Sequence, residues 1–167
     1  MSLSLFIGPM CSGKTSKLLE LYQKETENGK RCVMITPDMD SRTKTTGKWT
    51  HDGKTFSGNV IWSNKIQIDN IEDIANEYDV FFINEGQFVS DIYNGVILLT
   101  DTLKKDVYVS GLDGDFNREP FGDFLRIIPL CDYVTKLKAR CEVCGKDAIF
   151  SKRMINNKNK VVIGGKE

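Results

Sequence analysis

Gly8-Pro9-Met10-Cys11-Ser12-Gly13-Lys14-Thr15 fits the pattern G-x-x-x-x-G-K-[ST]. In that pattern a glycine-bearing loop turns successive backbone N–H groups toward a phosphate chain. The chemistry is anion binding: the following helix dipole favours negative charge, Lys14 reaches the outer phosphates, and the Thr15 hydroxyl can bind magnesium. A second candidate group is Asn84-Glu85-Gly86-Gln87-Phe88, polar residues that directly follow the apolar run Val80-Phe81-Phe82-Ile83. Open α/β sheets bind ligands at the carboxyl ends of their strands, and phosphate-loop enzymes commonly carry an acid there that holds magnesium directly or through water. A structural alternative for Glu85 is an acid placed at the start of the next helix. Cys141-Glu142-Val143-Cys144 has the two-residue spacing that lets both sulfurs meet one tetrahedral metal. It is half a zinc motif, and no second ligand pair accompanies it. A redox pair is the other reading, disfavoured because no thioredoxin-like strand and helix surround it. His51, the single histidine, stands with Asp38, Asp40 and Arg42 in a polar stretch, where a hydrogen-bonded surface role is the simpler expectation.

The elements around these groups follow from apolar patterning. Ser2 to Ile7 reads as a strand, and Leu18, Leu19 and Tyr22 at helical spacing put a helix directly after the phosphate loop. That helix should stop at Asn28-Gly29. Arg31-Cys32-Val33-Met34-Ile35 is a buried strand, which completes a βαβ unit. Residues 36–57 are polar and read as a long loop. Then come a short strand at Asn59 to Trp62, a helix at Ile71 to Glu77, and a central strand at Asp79 to Ile83. A helix over Asp91 to Lys105 shows Ile92, Val96, Leu99 and Leu103 on one face, and Val107-Tyr108-Val109 is the next strand. The fold class is therefore α/β, a mostly parallel sheet flanked by helices in the manner of phosphate-loop (RecA-like) proteins, with a small appendage at the C-terminal end.

A chain of 167 residues can bury one substantial core. Its 23 Lys/Arg balance 23 Asp/Glu, which argues against a protein that coats nucleic acid. The last stretch, residues 136–167, holds nine Lys/Arg against three Asp/Glu, suited to an anionic ligand or to a solvated face. No run reaches the length needed to cross a bilayer, and the loop begins too early for a signal peptide. The expectation is a soluble, cytoplasmic protein without membrane or nucleic-acid partners. Five cysteines form no regular framework and read as thiols or metal ligands.

Taken together, the phosphate loop at 8–15, Glu-Gly-Gln-Phe at 85–88, Leu-Asp-Gly-x-Phe-x-Arg-x-Pro-Phe-Gly at 112–122, and Lys-Arg with a later Ile-Gly-Gly at 152–165 resemble the thymidine kinases of the cellular and poxviral type. The resemblance spans nearly the whole chain. It implies transfer of the γ-phosphoryl group of ATP, as its magnesium complex, to the 5′-hydroxyl of thymidine. Glu85 would be the base. Residues Gly8 to Thr15 would hold phosphate, with Asn84, Gln87 and Arg42 beside them. Met10, Phe88, Leu112, Phe116, Phe121, Ser151, Arg153, Val162 and Gly164 would surround the thymidine. It also implies a nucleotide domain over 1–138 and a small domain over 139–167, with a structural zinc at Cys141 and Cys144 and a lasso loop that closes on the base. Feedback by thymidine triphosphate (dTTP) and a homotetramer come with the family. Two departures stand out. Asn84 occupies a position where the family carries aspartate, and the pattern runs out at Glu167 before the family's sealing tyrosine and second ligand pair, so the small domain reads as cut short. These departures motivate one rival, a nucleotide-binding protein that no longer catalyses. The basic tail with its cysteine pair motivates another, a zinc-ribbon nucleic-acid binder, which the lack of aromatic residues interleaved with basic ones disfavours.

Overall fold

A computed structural model of the chain describes residues 1–38, 49–50 and 53–153. Arg42, His51, Val162 and Gly164 lie outside the described residues. Six strands form one parallel sheet: β1 (Leu3–Gly8), β2 (Cys32–Thr36), β3 (Val60–Trp62), β4 (Val80–Ile83), β5 (Asp106–Leu112) and β6 (Tyr133–Lys136), in the order β3-β2-β4-β5-β1-β6. Two short strands, β7 (Ala139–Arg140) and β8 (Asp147–Ala148), pair antiparallel as a separate hairpin.

Parallel strands are buried on both faces, so the central ones read as unbroken apolar runs. Alternation then decides which side chain goes where. Leu3, Leu5 and Ile7 of β1, Val33 and Ile35 of β2, and Phe81 and Ile83 of β4 point to one face. There they pack with α2 (Ile71–Glu77), α3 (Ile92–Ile97) and the 3-10 segment Phe124–Leu130. Phe6, Cys32, Met34, Val80 and Phe82 point to the other face, against Leu18 and Tyr22 of α1 (Lys14–Glu27). Each such aliphatic or aromatic side chain contributes roughly 1.5–3 kcal/mol on burial. The sheet with helices on both faces thus follows from the run pattern.

Helix α1 ends where expected. Gly29 adopts φ +81°, and the N–H groups of Gly29 and Lys30 return to the carbonyls of Thr26 and Glu25, which satisfies the last turn with a left-handed glycine cap. The helix expected over 91–105 is shorter and changes type. Regular α3 gives way to a π-helical turn at Leu98–Thr102. There the buried Thr100 hydroxyl donates to the Val96 carbonyl at 3.0 Å, a side-chain bond that competes with the regular ladder. Elements not anticipated from the sequence include β6, the β7–β8 hairpin and the 3-10 segments Gly86–Phe88 and Phe124–Leu130.

Candidate active site

The exits of β1, β4 and β5 lie side by side in the sheet and carry the polar groups singled out above. After β1 the chain turns at Cys11, which takes φ +59°, and at Gly13, with φ +83°, into α1 at Lys14. Gly8 must be small, since a Cβ there would lie 2.5 Å from the Leu137 carbonyl oxygen beyond β6. The Lys14 ammonium donates to the Pro9 carbonyl at 2.6 Å and to the Ser12 hydroxyl at 3.3 Å. It is folded onto its own loop and buried. Burial lowers its pKa, against the opposing charges of Glu85, Asp113 and Cys11. An anion placed within the loop would relieve that desolvation and draw Lys14 outward.

The next residue, Thr15, donates its hydroxyl to Asn84 Oδ1 at 3.3 Å, and Ser110 on β5 donates to the same oxygen at 3.2 Å. Asn84 is buried at the end of β4, with its backbone N–H on the Ile35 carbonyl. Because Thr15 gives its proton to the amide, its lone pairs remain available to a cation. Hard oxygen donors, few in number, suit Mg²⁺, which keeps most of its waters and takes one or two protein ligands. The residues present therefore fit magnesium at Thr15, whose hydroxyl Asn84 orients.

Glu85 leaves β4 with φ +51° and ψ +47°, a conformation costly for a residue with a Cβ. It begins the 3-10 turn Gly86–Phe88, closed by Phe88 N–H to the Glu85 carbonyl at 2.9 Å. The amide of Gln87, the residue expected beside the phosphates, bridges two strand exits: Nε2 donates to Glu85 Oε2 at 2.6 Å, and Oε1 accepts the Leu112 N–H at 2.9 Å.

Beyond β5 the loop from Asp113 to Gly122 is shaped by buried Asp115. Its carboxylate accepts the N–H groups of Asn117 at 2.8 Å and Glu119 at 3.0 Å. Phe121 returns to meet Phe88 edge-on, with ring centroids 5.3 Å apart. The Arg153 guanidinium lies 3.9 Å from the Phe116 ring centroid, and Arg118 lies 4.2 Å from that of Phe150. Ser151 Oγ accepts the Met10 N–H at 2.9 Å. The C-terminal segment thus touches both the phosphate loop and the aromatic loop. Leu112, Phe116, Phe121, Phe88, Met10, Ser151 and Arg153 all belong to this connected set of contacts. Sequence reasoning missed Ser110, Asp115 and the Asp113–Lys136 ion pair at 2.8 Å. Only the polar exit of β5 hinted at them.

Cys141 and Cys144 both lie in the turn that joins β7 to β8. The backbone N–H groups of Cys144 and Val143 lower the Cys141 thiol's pKa, which suits a metal-binding thiolate. A structural zinc takes four ligands, and no cluster of three or more His, Cys, Asp or Glu gathers among the described residues. The hairpin therefore fits half a zinc site.

The family model described as thymidine kinase matches residues 1–167. The chain belongs to the thymidine kinase family. It is 39% identical over 165 residues to thymidine kinase a of Arabidopsis thaliana, an alignment covering 96% of this chain and 68% of that protein. It is 38% identical over 167 residues to the thymidine kinase of Oryza sativa subsp. japonica, covering 96% of this chain and 60% of that one. A thymidine kinase of Amsacta moorei entomopoxvirus is 34% identical over 171 residues, covering all of this chain and 92% of its own length. The chain thus spans about two thirds of the plant relatives and most of the viral one. In architecture it is similar to the flagellar accessory protein FlaH from Methanocaldococcus jannaschii, with TM-score 0.54 and 13% identity over 87% of this chain and 74% of that one. That likeness bears on the fold alone and agrees with a phosphate-loop sheet. Within this thymidine kinase family member, the phosphate loop and the motifs at 85–88 and 112–122 lie at the carboxyl ends of the neighbouring strands β1, β4 and β5, and Arg153, in the described part of the fourth motif, meets Phe116.

Proposed function

We propose that this chain transfers the γ-phosphoryl group of ATP to the 5′-hydroxyl of thymidine, with Glu85 as the base. The observation that carries the assignment is Glu85 itself: a carboxylate at a strand exit, held by Gln87, charge-coupled to Lys14, and followed by the Phe88–Phe121 ring pair. Phosphoryl transfer asks a protein mainly to position groups and to stabilise charge. The backbone N–H groups from Cys11 to Thr15, at the start of α1, receive the phosphates, and Lys14 exchanges its Pro9 carbonyl for phosphate oxygen. Thr15, oriented by Asn84, would hold magnesium, which would neutralise phosphate charge when bound. Leu112, Phe116, Phe121 and Phe88 enclose the base, with Met10 and Ser151 at its edge and Arg153 against Phe116. Arg42, Val162 and Gly164 extend the same reading to residues outside the described part. Glu85 accepts the proton of the 5′-hydroxyl as that oxygen attacks.

The same proposal divides the chain at 138/139 into a catalytic domain and a small domain, with zinc held by Cys141 and Cys144 together with ligands from outside the hairpin. It includes a homotetramer, feedback by dTTP and a cytoplasmic location; the resemblance supports these finer points. Among the described residues no helix is long and apolar enough to cross a membrane. The test is an initial-rate assay of ATP-dependent thymidine phosphorylation. Glu85→Gln keeps the shape but cannot take a proton, so it should lose about 10²–10⁴ in kcat while ATP binding holds. A variant that kept more than about a tenth of the rate would remove Glu85 from the role of base.

A further inference from the structure

We infer that Gln87 is a positioning residue: it sets the Glu85 carboxylate for proton transfer and ties that placement to the loop that encloses the base. The inference rests on the reading of Glu85 as the base. Its geometry leaves no freedom in how the amide is turned. The Leu112 N–H can only donate, so the amide oxygen must face it, at 2.9 Å. The NH₂ group is thereby directed at Glu85 Oε2, at 2.6 Å. Gln87 is 8% exposed, so water cannot easily replace either partner.

The surroundings are shaped for this side chain. A Cβ on Gly111 would lie 2.6 Å from Gln87 Oε1 and 2.6 Å from the Phe124 ring. Glycine at 111 leaves the space the amide occupies, and Phe124 forms its fully buried wall. Glu85 needs such a partner because it stands on a left-handed backbone at the mouth of a strand, where its own turn does not fix the carboxylate. Leu112 is the last residue of β5 and leads directly into the loop carrying Phe116 and Phe121. Movement of that loop around a base is transmitted through one amide to the catalytic carboxylate. The charged and titratable groups near these strand ends come from other elements: Lys14 of α1, Cys11 of the phosphate loop, and Asp113 after β5, paired with Lys136 of β6.

Three variants of the full chain test this by initial rates with Mg-ATP and thymidine across pH. Gln87→Met keeps the volume and removes both polar contacts. It should lower kcat roughly ten- to a hundredfold, the worth of a hydrogen bond to a charged group, with both KM values within about threefold of wild type. Gln87→Glu retains an acceptor for the Leu112 N–H and puts two carboxyl groups in contact. Such a pair shares a proton below its upper macroscopic pKa. While it does, the residue 87 carboxyl can donate to Glu85 as the amide does. The ratio of Gln87→Glu to wild-type kcat should therefore fall as pH rises, a signature that loss of folding would not produce. If Gln87→Met fails to fold, this pH-dependent ratio decides alone. A Gln87→Met enzyme with more than about a third of wild-type kcat, or a Gln87→Glu ratio that is the same at every pH, overturns the inference. Glu85→Gln run alongside separates the two ideas: if it stays active the base assignment fails, and if it is inactive while the Gln87 variants behave as wild type, only the positioning role fails.

Discussion

Asn84 offers one neutral oxygen to two hydroxyls, those of Thr15 and Ser110. An amide there orients Thr15 but brings no charge to a cation beside it. A carboxylate would accept the same two bonds in stronger, charge-assisted form and would add attraction to magnesium. Its burial would be offset by those donors. Asn84→Asp should therefore lower the magnesium concentration for half-maximal activity about tenfold, corresponding to the roughly 1–2 kcal/mol of one such bond. The gain should shrink as magnesium saturates. Magnesium titrations of both proteins check this, and coincident curves would mean that another acid, such as Asp113, already supplies the charge.

Among the elements, the entrances of neighbouring strands β2 and β4 are tied by Arg31 and Asp79. The Asp79 carboxylate accepts Arg31 Nη2 at 2.7 Å, Nε at 3.1 Å and the backbone N–H at 3.0 Å. The Arg31 side chain holds the Asp79 carboxyl well below the usual carboxylate range. A carboxyl depressed by folding contributes stability above its unfolded pKa, and that stability disappears as pH falls through the folded value. The pair is largely exposed, so solvent screening keeps its contribution small. Asp79→Asn should lower Tm by about 1–3 °C at neutral pH, and the gap should close on acidification below about pH 4. Melting curves of both proteins from neutral to acid pH check the effect, and a gap unchanged at low pH would exclude an ionic origin. This region was legible in the sequence because β1, β2 and β4 are continuous apolar runs. β6 was not: Tyr133, Val134, Thr135 and Lys136 are all exposed at the sheet edge, so no periodicity marks them, and only pairing with β1 makes them a strand. The site divides in the same way. Phosphate loop and acid motif are consecutive residues and could be read directly. The role of Gln87 depends on Leu112, 25 positions away, and spacing along the chain cannot report that contact.

At the scale of the whole molecule, the phosphate loop and the loop proposed to enclose the base share a physical link. Met10 belongs to the phosphate loop, yet its N–H is satisfied by Ser151, 141 positions later. The same short segment puts Phe150 under Arg118 and Arg153 over Phe116, so it also clamps the aromatic loop. An interaction shared by two sites couples them reciprocally: what orders the segment around a base also holds the phosphate loop, and the converse. Ser151→Ala removes the acceptor for Met10 while leaving both cation–π contacts in place. One neutral hydrogen bond at an exposed position is worth roughly 0.5–1.5 kcal/mol, so KM should rise about two- to tenfold. The coupling makes the rise appear for ATP as well as for thymidine, with kcat little changed because the Glu85–Gln87 pair is untouched. An initial-rate matrix varying both substrates measures the two constants together. A change confined to thymidine would make Ser151 a base contact alone, and the phosphate loop would then be held independently of the segment that covers the base.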